Sequence, residues 1–347
     1  MRILSDLNEN SSYDQILDLV QYIENNLSPE TSHANVIPME YNKSTHIRII
    51  RVVLARMAAG LKFLIPKHGE EEDEEKYFLE QVQLEKIYKI LKQYTNFINA
   101  IRDSENDEIK DEKLLKFWCA LLLNSSRSLL DNFSSMKIGA NFFEGRNSLY
   151  TLKKWQNDCL EIAKTKFRLL LQSECAQNAI EFACQKLSYN PQEIQKIKAD
   201  FPSIVNKITF IEAEFAGMVG FDELYLSVND IFDLSTNTES IARIIGLLFH
   251  EGIHLVQRMI SNNFALITPK SKNPYEIEAG LLLELFLWGT MEIKYWDKEH
   301  AKIVNDEARW KVFPLFTPLE ISQRVKRPIV NPKCSGLCVE FRGPRQF

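Results

Sequence analysis

Apolar residues recur every three or four positions through most of the first two hundred residues, which is the spacing of amphipathic helices. The segments with this period are 13–27, 44–64, 76–101, 112–133, 148–170, 172–187 and 191–199. Glycine, serine and asparagine are frequent over 134–147, which predicts a loop there. The pattern therefore predicts a helical scaffold for this part of the chain.

The pattern changes at Lys207. Short apolar stretches at 208–211 and 223–228 predict two strands, the second with alternating apolar and polar residues. Gly217 and Gly220 lie between these stretches and predict a turn or bulge. The sequence therefore predicts a mainly α fold with a small β-sheet, of the α+β class.

Two strongly apolar helices are predicted after the strands. The first covers 238–258 and opens with Thr238 as its N-cap. After a polar loop at 261–272, Asn273-Pro274 begins a second helix that runs to Trp288, since Asn caps well and Pro suits the first helical position. Prolines are frequent beyond residue 300 and predict an irregular tail.

The first of these helices contains an H-E-x-x-H pattern. His250 and His254 are four residues apart, so in a helix their side chains project from the same face. Two imidazoles placed in this way can bind one zinc ion, and Glu251 lies where it can reach an attacking water. The alternative is a buried helix whose histidines hydrogen-bond and pack. The chain has only six histidines, which makes a chance match at this spacing uncommon.

A catalytic zinc needs a third protein ligand and an open position. The second apolar helix is the nearby predicted element with acidic residues that could face the histidines. Glu276 and Glu284 lie on similar sides of it, two turns apart, whereas Glu278 points elsewhere.

Three sequence stretches together resemble the gluzincin metallopeptidases: Glu223-Leu-Tyr-Leu, His250-Glu-Gly-Ile-His254 and Glu276-Ile-Glu-Ala-Gly280. The family pattern is a strand, then H-E-x-x-H, then E-x-x-A followed by Asp or Asn. The resemblance covers residues 208–290 and implies that Glu276 is the third zinc ligand, with Glu278 in reserve. This chain departs from the family at Gly280, where Asp or Asn is usual, and at Gly252, where a bulky residue is more frequent.

The resemblance implies a zinc-dependent metallopeptidase that hydrolyses peptide bonds of an intracellular protein or peptide. Zinc would activate the water, and Glu251 would act as its general base. An edge strand beside the metal would hold the substrate in extended form. The alternative is a non-catalytic helical interaction protein that retains a structural or degenerate zincin module. The two hypotheses differ in whether Glu251 has a role.

Length and composition complete these expectations. A chain of 347 residues is predicted to hold a helical scaffold over 1–200, a zincin-like module over 201–300 and an irregular tail over 301–347 that packs on the module. A net charge of −5 argues against a general nucleic-acid binder. The composition does not indicate an oligomeric state.

The sequence shows no apolar run long enough for a signal peptide or a membrane span, so a cytoplasmic location is expected. Delivery into another cell by a non-classical route stays open. The six cysteines are scattered through the chain rather than spaced as a disulfide framework, and they are expected to be reduced, buried thiols.

Overall fold

The computed structural model describes residues 37–64, 112–134, 148–213, 215–233, 236–264, 279–288 and 298–308, with the isolated positions 18, 21 and 310. These residues form mainly helices and a small four-stranded mixed sheet, which confirms the predicted fold class. None of the described helices is long and apolar enough to cross a membrane.

The contacts divide the chain into two units, residues 1–144 and 145–347. In the first unit, helices α1 (Lys43–Leu64) and α2 (Glu112–Ser134) pack against each other through apolar side chains. These two helices confirm the predicted segments 44–64 and 112–133. The helices predicted at 13–27 and 76–101 and the loop at 134–147 lie almost wholly outside the described residues.

The second unit contains the sheet and the helices around it. In chain order its elements are β1 (Ser148–Leu149), α3 (Lys154–Leu171), α4 (Glu174–Lys186), α5 (Pro191–Asp200), a 3₁₀ helix (Phe201–Asn206), β2 (Ile208–Glu212), β3 (Gly217–Val219), β4 (Leu224–Ser227), α6 (Val228–Phe232), α7 (Asn237–Ser261), α8 (Ala279–Trp288) and α9 (Lys298–Asn305). Helices α3, α4 and α5 thus belong to the same unit as α7, whereas the sequence assigned them to the scaffold of 1–200.

The sheet has the strand order β1-β2-β4-β3. Strand β2 pairs with β4 in parallel, while β1 and β3 pair in antiparallel fashion with β2 and β4, respectively. The predicted strands at 208–211 and 223–228 are confirmed as β2 and β4. The prediction for Gly217 is wrong, because this residue begins strand β3 and pairs with Leu226. The helix predicted from residue 148 is also wrong at its start, because β1 pairs there with β2 and α3 begins only at Lys154.

Helix α7 is the centre of the second unit. It contacts α3, α8, α9, the 3₁₀ helix and strand β3, and its residues from Ser240 to Arg258 are all buried. This explains why the segment is apolar nearly all round rather than on one stripe. The predicted cap at Thr238 is wrong, because Thr236 caps the helix by accepting a hydrogen bond from the Glu239 backbone N–H. The helix ends at Asn262, which has the left-handed conformation typical of a C-terminal cap.

Helix α8 packs on α7 along its apolar surface. Trp288 meets Phe249, while Gly280 and Glu284 meet His250. The helix predicted over 273–288 is confirmed from Ala279 onward, and the residues before Ala279 lie outside the described part of the chain.

Candidate metal centre

The two histidines of the H-E-x-x-H pattern lie on one face of α7. His250 and His254 are both buried, and their rings meet edge to face with centroids 5.4 Å apart and planes at 71°. This confirms that the pattern sits on a helix that brings both imidazoles to the same side. Because α7 is packed by helices, sheet and 3₁₀ helix, the backbone that carries the two rings is held on several sides.

The separation of the rings suits a shared metal. With Zn–N bonds of about 2.0–2.1 Å and a tetrahedral angle between them, two ligating imidazoles have ring centroids about 5.2 Å apart. The observed separation of 5.4 Å is close to that value. The distance between the two ring centroids is therefore compatible with a shared zinc ion.

A carboxylate from α8 holds the first histidine. The Nδ1 atom of His250 lies 2.6 Å from Oε1 of Glu284, and Glu284 exposes only 1% of its surface. An ionised Glu284 beside a neutral His250 would accept the hydrogen bond from Nδ1–H and leave the lone pair of His250 on Nε2. Histidines that bind zinc typically have this arrangement, with a carboxylate on the nitrogen that does not face the metal.

Gly280 lies against the face of the same ring. A methyl group added at Gly280 would place its carbon 2.7 Å from Cδ2 and 2.8 Å from Cγ and Cε1 of His250. No side chain fits at this distance unless the ring moves. The departure from the family pattern at position 280 therefore has a steric cause, and the nearby carboxylate comes from Glu284 instead.

The second departure, Gly252, also has a packing role. A Cβ at this position would lie 2.3 Å from Cδ1 of Ile204 and 3.4 Å from the ring of Phe201. Both residues belong to the 3₁₀ helix that packs on α7. A glycine at position 252 lets the two helices approach closely on the side away from the histidines.

Glu251 lies beside the edge of the sheet. It exposes 2% of its surface, and a Cβ added at Gly217 would be 3.0 Å from Glu251 Cγ and 3.2 Å from its Oε1. Among the described strands, β3 lies at one edge of the sheet and pairs on one side with β4. Glu251 and an edge strand of the described sheet are thus adjacent.

Gln257 is a polar residue of this helix that the sequence analysis did not single out. It lies three residues after His254 on the face that carries the histidines and exposes 2% of its surface. Neither its side-chain oxygen nor its side-chain nitrogen makes a hydrogen bond with the described residues. A buried amide in this state costs free energy, so Gln257 marks a polar position next to the candidate ligands.

The third predicted ligand, Glu276, lies outside the described residues, as does the reserve candidate Glu278. Within the described ranges no group of three or more His, Cys, Asp or Glu side chains is arranged to hold a metal ion. The described part of the site therefore contains the two histidines, Glu251 and the carboxylate of Glu284. Only Glu284 lacked an assigned role in the sequence analysis, because its pairing with His250 depends on how α8 packs on α7.

The described cysteines lie away from this site in the chain and form no disulfide with one another. Cys119, Cys159, Cys175 and Cys184 are buried thiols, in agreement with the expectation for these four residues. Cys334 and Cys338 lie outside the described residues. Burial raises the pKa of Cys175 and of Cys184 to about 12, so both thiols stay protonated at neutral pH.

Comparisons of the chain with known protein families, with curated proteins and with solved structures give no match. The resemblance to gluzincins therefore rests on the motif residues of this chain alone.

Proposed function

We propose that the protein is a zinc-dependent metallopeptidase that hydrolyses peptide bonds in a protein or peptide substrate. The observation that carries this proposal is the arrangement on α7, where two buried imidazoles lie 5.4 Å apart and Nδ1 of the first is bonded to a buried carboxylate. A histidine that only packs in a core needs no anionic partner. Burying a carboxylate beside it costs on the order of several kcal/mol in lost hydration, which the interaction with the histidine helps to offset.

In this proposal His250 and His254 hold the metal through ring nitrogens, and Glu276 completes the set from the segment before α8. Zinc, when bound, supplies a Lewis acid that polarises the scissile carbonyl and acidifies the attacking water. The open fourth position that a catalytic site needs is consistent with a set of only three protein ligands.

Glu251 acts as the general base. Its carboxylate oxygens accept a proton from the attacking water and then deliver that proton to the nitrogen of the leaving amine. Glu251 is buried between α7 and β3, in surroundings of low dielectric that strengthen its interaction with developing positive charge. The absence of a side chain at Gly217 leaves the carboxylate room on the side of the strand.

Strand β3 supports a role for the sheet in binding the substrate. Its backbone pairs with β4 on one side, and the first residue of the strand adjoins Glu251. An extended peptide added along the other side of an edge strand would pass close to the general base. Backbone pairing of this kind binds a peptide in a fixed orientation without reading its side chains.

Metal analysis combined with peptide hydrolysis tests the proposal. The probe is a mixture of fluorescence-quenched peptides of randomised sequence, assayed with zinc-loaded wild type, Glu251→Gln, His250→Ala and His254→Ala. We expect one zinc per chain in the wild type and in Glu251→Gln, and loss of zinc in both histidine variants. Hydrolysis should fall by about 10²-fold or more in Glu251→Gln, the range typical for loss of a general base.

Glu181→Gln is the matched control, since Glu181 is a half-exposed residue of α4 that pairs with Lys198. It should keep both zinc and hydrolysis. Full hydrolysis by Glu251→Gln would refute the proposed mechanism. A wild type that binds no zinc, or binds it without hydrolysing any peptide, would instead support a helical interaction protein that retains a degenerate zincin module.

A further inference from the structure

We propose that Glu284 is the residue that positions His250 for the metal, in place of the side chain at position 280. The inference rests on the proposed metal site and adds a residue that the H-E-x-x-H and E-x-x-A patterns do not contain. Its basis is the contact between three described residues: the Glu284 carboxylate, the His250 ring and the Gly280 backbone.

The helical spacing explains how Glu284 can take the role of positioning His250 that a side chain at position 280 would otherwise have. Gly280 and Glu284 are four residues apart on α8, so they lie on the same face, one turn above the other. The backbone of α8 comes so close to the His250 ring that a Cβ at position 280 would lie 2.7 Å from Cδ2. On α8 a carboxylate can instead reach the ring edge from the next turn, where the side chain of Glu284 spans the distance to Nδ1.

The surroundings of Glu284 support a specific role. Helix α8 has the sequence Ala-Gly-Leu-Leu-Leu-Glu-Leu-Phe-Leu-Trp, in which Glu284 is the one charged residue. An apolar residue at this position would pack in the same core and would avoid the desolvation of a carboxylate. One contact that offsets this desolvation is the 2.6 Å hydrogen bond to His250, a candidate ligand of the metal.

The bond has two consequences for the histidine. It fixes the tautomer with hydrogen on Nδ1, so that Nε2 carries the lone pair, and it fixes the rotation of the ring about its χ2 angle. The negative charge of the carboxylate also increases the basicity of the imidazole as a ligand. Loss of such a carboxylate typically weakens metal binding by about 10- to 100-fold.

The test is metal affinity, measured by competition with a chromophoric chelator for Zn²⁺ and by titration with Co²⁺, whose visible absorption reports ligand geometry. The variants are Glu284→Gln, which keeps the volume and one hydrogen bond but removes the charge, and Glu284→Ala, which removes both. Glu181→Gln is the control for the same chemical change at a half-exposed site. Thermal unfolding of each metal-free variant monitors the fold.

We expect the dissociation constant for Zn²⁺ to rise about tenfold in Glu284→Gln and up to about 100-fold in Glu284→Ala, with altered Co²⁺ absorption in both. Glu181→Gln should match the wild type. If Glu284→Ala does not fold, the volume-conserving Glu284→Gln variant decides the question. Metal affinity and Co²⁺ absorption within twofold of the wild type in folded Glu284→Gln would overturn the inference.

The same experiment separates this inference from the proposed function. A wild type that binds zinc and hydrolyses peptides through Glu251, with Glu284→Gln unchanged in both metal readouts, would overturn only the role of Glu284. A wild type that binds neither Zn²⁺ nor Co²⁺ would overturn both. A purely structural role for Glu284 would lower the temperature of unfolding but would leave the Co²⁺ absorption of the folded fraction unchanged, which also overturns the inference.

Discussion

Gly217 on strand β3 lies so close to Glu251 on α7 that a methyl group at residue 217 would stand 3.0 Å from the Glu251 Cγ atom. The strand and the helix thus approach each other at the carboxylate proposed to act as general base. Such a separation is shorter than the usual contact between aliphatic carbons, which is about 3.5–4.0 Å. Any side chain at position 217 must therefore displace Glu251 or move the strand.

The first prediction concerns this contact. Gly217→Ala should retain one zinc per chain, because the histidines are not disturbed, and should lower kcat for peptide hydrolysis by about tenfold or more, because the misplaced base no longer reaches the attacking water. Gly220→Ala is the control, since its methyl group would meet the ring of Tyr225 at 2.5 Å and not Glu251. Equal loss of kcat in both variants would show that the effect is a general loss of folding.

The second prediction concerns Gly280. In a helix interior, replacing glycine by alanine stabilises by about 1 kcal/mol through backbone propensity. At position 280 the added carbon would lie within 2.8 Å of three atoms of the His250 ring, and overpacking of this kind typically costs about 1–3 kcal/mol. We expect the cost of overpacking to exceed the gain in helix propensity, so that Gly280→Ala lowers both the free energy of unfolding and the affinity for zinc.

Urea unfolding of the metal-free protein and zinc competition measure the two effects of Gly280→Ala separately. A stabilised variant with unchanged zinc affinity would mean that the His250 ring can retreat at no cost. Gly280→Asp, which introduces the residue usual in gluzincins, should behave no better than Gly280→Ala, because the contact arises at Cβ and not at the end of the side chain.

The residues of the candidate site differ in how far the sequence could reveal them. His250, Glu251 and His254 were predictable because one helix carries all three, and helical spacing alone brings the two rings together. The link between Glu284 and His250 crosses two helices, so it depends on the packing of α8 against α7. No local pattern encodes that distance.

The sheet shows the same limit at its edges. Strands β2 and β4 have apolar stretches long enough to be recognised, whereas β1 has two residues and β3 has three. Gly217 and Val219 in β3 give no alternation of apolar and polar residues, and glycine is more frequent in turns. Their strand conformation follows from pairing with β4, which is a tertiary contact.

The cap at Thr236 was predictable from the sequence, because Glu239 three residues later completes a capping pattern.

The third prediction concerns the buried amide of Gln257. Glutamine and methionine have similar helix propensities and similar shapes, so Gln257→Met tests the amide itself. The amide makes no hydrogen bond with the described residues. A buried polar group in that state costs about 1–3 kcal/mol, so its removal should raise the free energy of unfolding of the metal-free protein by about 1–2 kcal/mol. Urea unfolding measures the change, with Gln185→Met on the exposed side of α4 as the control.

Gln185→Met should change the free energy of unfolding by less than about 0.5 kcal/mol, as is usual at exposed positions. A destabilised Gln257→Met variant would contradict the prediction and would indicate that the amide binds a partner, such as an ordered water, in solution. That outcome would make Gln257 a candidate for contact with the substrate or with the third ligand.

The fourth prediction concerns the buried thiols on α4. Burial raises the pKa of Cys184 to about 12; the nearby Lys198 ammonium opposes this change, while Glu181 and Glu193 add to it. In the unfolded chain the thiol ionises near its ordinary pKa of about 8.5. The folded state therefore keeps a proton that the unfolded state loses. The contribution of this thiol to the free energy of unfolding is fully present below the pKa of the thiol in the unfolded chain. It declines as the pH rises toward 12.

Above pH 9 each such thiol should lower the free energy of unfolding by about 1.4 kcal/mol per pH unit, until the folded thiol ionises as well. Urea unfolding at pH 8, 9 and 10 measures this slope, with a phosphine reductant present to keep the thiols reduced. Cys184→Ala should lose less stability between pH 9 and pH 10 than the wild type, by about 1.2 kcal/mol. Cys175, whose pKa burial also raises to about 12, should give the same difference when replaced by alanine. Parallel slopes in the wild type and both variants would contradict the prediction, because the thiols would then ionise equally in the folded and unfolded states.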